Sequence, residues 1–117
     1  MHKTPAFMHS YSLFREECRR QLMRMGLQGW DVKIEHRFLR GEDTGDAAHT
    51  IMEAENRIAC ITMNEAYTPT DPRRLAKHEV SHIFLEQLSY IAERRWASKD
   101  EWYNAIESAC TVLEKII

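Results

Sequence analysis

Asp71-Pro72-Arg73-Arg74-Leu75-Ala76-Lys77-His78-Glu79-Val80-Ser81-His82-Ile83-Phe84-Leu85 is the stretch that decides the fold. Asp71 suits a helix N-cap and Pro72 the first helical position, where a fixed φ helps and a missing N–H costs nothing. From there to about Arg94 the pattern is helical, with Val80, Ile83, Phe84, Leu88 and Ile91 on one face. A helix with one apolar side needs a surface to cover, and the flanking segments supply it.

Upstream, Ile58-Ala59-Cys60-Ile61-Thr62-Met63 is a short apolar run that reads as a strand. Glu55-Asn56-Arg57 is a tight turn, and Ala48 to Ala54 is a weaker strand, so the two runs form an expected hairpin. Gly41 to Asp46 is a loop, and Trp30 to Phe38 alternates apolar and polar residues as a half-buried strand does. Before it, Phe14, Cys18, Leu22 and Met25 mark one face of a helix from about Ser12 to Met25, stopped by Gly26. Downstream, Ser98 and Glu101 make a capping box that opens a last helix, with Tyr103, Ile106, Cys110, Leu113 and Ile117 along one side. The order helix, three strands, helix, helix predicts one α+β domain over residues 1–117, its helices packed on one face of a small, mostly antiparallel sheet.

At 117 residues the chain fits a single core. No apolar run approaches the ~20 residues needed to cross a bilayer, so no membrane role is expected. Met1 to Met8 carry no apolar signal region, which predicts a cytoplasmic address. Cys18, Cys60 and Cys110 are odd in number and unpaired in spacing, and read as buried thiols. With a net charge of −2, and with arginine pairs scattered among acids, no nucleic-acid footprint is expected.

His78-Glu79-Val80-Ser81-His82 is an H-E-x-x-H pentad within the long helix. Spacing i, i+4 sets both imidazoles on one side, one turn apart, within reach of one metal ion. Neutral imidazoles without thiolates suit zinc, which acidifies water and polarises a carbonyl. Glu79 lies about 100° around the helix from His78, so it is free to act as a general base instead of a ligand. With six His and thirteen Glu in the chain, a shuffled sequence would contain the pentad about 3% of the time. Its context adds weight, because both histidines lie opposite the apolar face and so face solvent. His36 and His49 read as surface residues, and His2 and His9 as part of a loose N-terminus.

Arg57-Ile58-Ala59-Cys60-Ile61-Thr62-Met63-Asn64, a proline-bearing loop and then Leu75 to Leu85 resemble the core of small zincin metallopeptidases, notably compact phage and prophage proteins. The likeness spans about Trp30 to Glu107, and the pentad is its specific part. It implies an active-site helix backed by a sheet whose edge strand pairs with an extended peptide, and Ile58 to Met63 matches that strand by its position before the helix. The metzincin extension is missing, since Leu85 and Leu88 stand where Gly and His would be. The gluzincin arrangement, with a glutamate on the next helix, fits better.

A catalytic zinc generally has three protein ligands. Glu86 lies one turn beyond His82, and Glu93 about 16 Å along the helix from it. On the last helix Glu101 serves the cap and Glu114 is terminal, leaving Glu107, which also matches the family's downstream glutamate. The expectation is therefore a zinc peptidase with His78, His82 and Glu107 as ligands, Glu79 as base and a peptide or protein as substrate. Tyr67, Tyr103 and His36 are candidates to stabilise the transition state. The alternative is a zincin scaffold that keeps its metal and works by binding a partner.

Overall fold

The computed structural model describes residues 5–93 and 98–116; His2, Arg94, Ile117 and the side chains of Leu113 and Glu114 lie outside the described residues. The elements are α1 (Pro5–Arg24), β1 (Asp31–Arg37), a 3-10 turn (Gly41–Gly45), β2 (Ala48–Glu53), β3 (Ile58–Asn64), α2 (Pro72–Glu93) and α3 (Lys99–Ile116). The protein is α+β, as its sequence pattern predicts. α1 begins seven residues before the expected start at about Ser12, with Pro5 as its first residue, so His9 is an exposed helical residue.

The helix ends follow from local chemistry. Gly26, at φ 70°, closes α1 in a Schellman arrangement, with the Leu27 amide donating to the Leu22 carbonyl at 2.8 Å and the Gly26 amide to Met23 at 3.2 Å. Asp71 caps α2 by accepting from the Arg74 amide at 3.0 Å, and Ser98 caps α3 by accepting from the Glu101 amide at 3.0 Å.

The sheet order is β1-β3-β2, with β2 and β3 antiparallel and β1 and β3 parallel. The hairpin turns through Arg57, a non-glycine residue in the left-handed region at φ 55°. β3, the strand expected at the edge, is central and paired on both sides; β2 is an edge strand instead. The connection from β1 crosses the C-terminal end of β3 before entering β2, which leaves β3 between the other two strands. Asn64, 1% exposed, fastens that crossing. Its Oδ1 accepts from the amides of Leu39 and Ala66, and its Nδ2 donates to the carbonyls of Thr44 and Asp46.

Register sorts the strand residues by face. Val32, Ile34, Ala59, Ile61, Met63, Ala48, Thr50 and Met52 share one face, and Lys33, Glu35, Arg37, Cys60 and Thr62 the other. α1 and α2 cover the first face, burying Phe14, Cys18, Ala76, Val80 and Ile83 against Ile61 and Met63. α3 adds Ala109 and Val112 to this core. That corrects the expected stripe on α3, where Tyr103, Ile106 and Cys110 are exposed: the small Ala109 allows close approach, so the helix is turned from the side its bulky residues suggest. Of the three cysteines only Cys18 is buried. No helix among the described residues is long and apolar enough to cross a membrane.

Candidate metal and catalytic site

The pentad lies in the second and third turns of α2, where the helix passes over β2. Val80 and Ile83 are fully buried, which fixes the rotation of the helix about its axis and turns His78 and His82 outward. The two Nε2 atoms stand 3.1 Å apart, with the rings edge to face. Two nitrogens bound at about 2.0–2.1 Å to one tetrahedral ion would stand about 3.3–3.4 Å apart, so the pair converges as a metal chelate does. Without metal the same separation suits an N–H···N hydrogen bond between neutral rings.

Glu79 is placed differently from its neighbours. It is 5% exposed, and its Oε1 accepts a 2.7 Å hydrogen bond from Thr50 Oγ1 on β2. Its Oε2 lies 4.0 Å from His78 Nε2. In the adjoining core the Cys18 thiol feels this carboxylate: it is pushed well up, first by burial and then by the charges of Glu79 and Glu17. His78, Glu79 and His82 thus form a group whose ligand atoms lie within 4.8 Å of one another. They open on a cavity of about 370 Å³, whose other wall is Asp46, Ala48, His49, Thr50 and Met52.

Glu107 is not brought to this group. It is exposed on α3, two residues and about 200° of helical turn from Ala109, so it points away from the face by which α3 is buried. Glu86, Glu93 and Glu101 are exposed and do not belong to the compact group that the histidines form. Of the proposed stabilisers, Tyr67 and Tyr103 are exposed and away from the cavity, while His36 stacks on Tyr11 at 4.6 Å in another hollow.

The sequence reading missed three residues. Thr50 carries no motif and is found only through the strand register that aims it at α2. His49, taken for a surface residue, is half-buried and lies 3.5 Å from Asp43. Asp46 follows the 3-10 turn and reaches the cavity rim, and with Asp43 and His49 it forms a second compact group of ligand-type side chains. A larger hollow of about 500 Å³, bordered by Trp30, Arg57, Gln87 and Glu101, holds no histidine.

Comparison of the chain with protein-family models, curated proteins and solved structures finds no match.

Proposed function

We propose that this protein is a zinc-dependent peptidase in which His78 and His82 bind the metal and Glu79 is the general base. The observation that carries the reading is the division of labour inside the pentad: two exposed imidazoles converge to 3.1 Å, while the carboxylate between them is buried and held by one oxygen only. Bound zinc would supply a Lewis acid that polarises a carbonyl and acidifies water. Glu79 takes the released proton on Oε2, the oxygen that Thr50 leaves free, and passes it to the leaving amine.

β2 supports a peptide as substrate. Among the described residues it is bordered by β3 on one side, and its other edge lies beside the pentad, ready to pair with an extended chain. For the third protein ligand the family resemblance argues for Glu107, which would require α3 to be turned from its present setting. The cavity itself favours Asp46, a carboxylate already on its wall. Zinc affinities of Glu107→Ala and Asp46→Ala separate the two, because only the ligand's loss weakens binding.

The test is peptide-library cleavage by the zinc-loaded protein beside Glu79→Gln. The proposal expects cleavage by the wild type and a loss of at least about 10³-fold in kcat in the variant, with zinc and fold retained. An unchanged biological effect of Glu79→Gln would favour the binding-module alternative.

A further inference from the structure

We propose that Thr50 is a positioning residue for Glu79, so that the edge strand β2 orients the base as well as bordering the place where substrate would lie. The inference deepens the peptidase reading and rests on it. β2 alternates, sending Thr50 toward α2 and its neighbours His49 and Ile51 to the opposite face. Thr50 is β-branched, and its χ1 is stiff in a strand, so the hydroxyl has little freedom to leave Glu79. The hydrogen bond spans 29 residues of sequence and joins sheet to helix at 2.7 Å.

The terminal torsion of a glutamate is broad and roughly two-fold, so a carboxylate without a partner samples many planes. Thr50 removes that freedom by holding Oε1. The remaining oxygen is then fixed on the side of His78, 4.0 Å from its Nε2. Among the described residues no other hydroxyl lines the cavity: its walls besides Thr50 are Asp46, Ala48, His49, Met52, His78, Glu79 and His82. A base held in one plane has its proton-accepting lone pair pre-aimed, a gain in the chemical step with no counterpart in substrate binding.

The experiment compares wild type with Thr50→Val, which keeps the shape and removes the hydroxyl, and Thr50→Ser, which restores it. Thr50→Val is expected to lower kcat about 10- to 100-fold, a fraction of the range for general-base catalysis. KM should stay within about twofold, zinc content should not change, and Thr50→Ser should return kcat to within about threefold of wild type. A second readout is independent of turnover. In urea unfolding of the metal-free protein, Thr50→Val should lower the midpoint in the wild-type background and leave it unchanged in a Glu79→Ala background, because the partner is already gone. An unchanged kcat in Thr50→Val, a failure of serine to rescue, or equal midpoint shifts in the two backgrounds each overturn the proposal. If the zinc-loaded wild type cleaves nothing while the unfolding coupling persists, the peptidase reading itself has failed, and the hydrogen bond is structural alone.

Discussion

Two buried glutamates, Glu17 on α1 and Glu79 on α2, show how differently one fold treats the same side chain. Glu17 is fully buried, and its carboxylate is surrounded by donors: Arg20 at 2.7 and 3.2 Å, Gln21 at 2.6 Å and Arg73 at 3.2 Å. Burial raises its pKa, but the hydrogen bonds from Gln21, Arg20 and Arg73 outweigh that and hold it below the usual glutamate value. Glu79 is buried almost as deeply and accepts from Thr50 on one oxygen. A buried charge is costly unless it is paired. Where Glu17 meets that cost by spending both oxygens on donors, Arg20 and Gln21 from its own helix and Arg73 from α2, Glu79 keeps one oxygen on a cavity beside two histidines. The saturated carboxylate ties a turn of α1 to one arginine of α2, and the unsaturated one is the group to which the proposal assigns the proton transfer.

The comparison can be broken by giving both residues the same change. Glu79→Gln should have the largest effect on turnover and a small one on stability, because the amide still accepts from Thr50. Glu17→Gln should do the reverse. Losing the charge strands Arg20 and Arg73, both of which keep about half of their surface in solvent. The expected cost is therefore about 2–3 kcal/mol, below the range for fully buried pairs, with a fall of roughly 10 °C in melting temperature. Calorimetry checks this; a Glu17→Gln protein as stable as wild type would remove the distinction.

A third carboxylate sharpens the contrast on a smaller scale. Glu35, on the outer face of the sheet, is lowered to about 2, chiefly by its hydrogen bond with Arg37 and also by Thr62, Lys33 and Cys60. By its surroundings it belongs with Glu17. A carboxyl group whose folded pKa lies below its ordinary value of 4.5 contributes stability that is fully present above that value and is lost as pH falls toward 2. Urea midpoints should accordingly decline between about pH 4.5 and pH 2. Glu35→Gln should make that decline shallower, and an identical slope in the variant would contradict the assignment.

Much of this was legible in the sequence where the signal is local. Asp71, Pro72, Ser98 and Gly26 mark helix ends through chemistry confined to a few residues. The spacing of Val80, Ile83 and Phe84 sets the rotation of α2, and with it the outward turn of His78 and His82. What the pattern does not encode is which strands are neighbours. Alternation assigns Thr50 a face, but only the crossing fastened by Asn64 places β2 beside α2 and moves β3 to the centre. The orientation of α3 failed for a related reason: Tyr103 and Ile106 dominate a hydrophobic stripe by bulk, whereas Ala109 and Val112 decide the packing by how closely they let the helix approach. Glu107, next to Ile106 in the chain, is exposed as Ile106 is.

The most direct test is the metal content of protein purified without a histidine tag and without added metal, for wild type, His78→Ala and His82→Ala. The account predicts about one zinc per chain in the wild type and its loss in both variants, with the helix and the Thr50–Glu79 bond retained. Equal metal in all three proteins, or none in the wild type even after zinc is supplied, would contradict it.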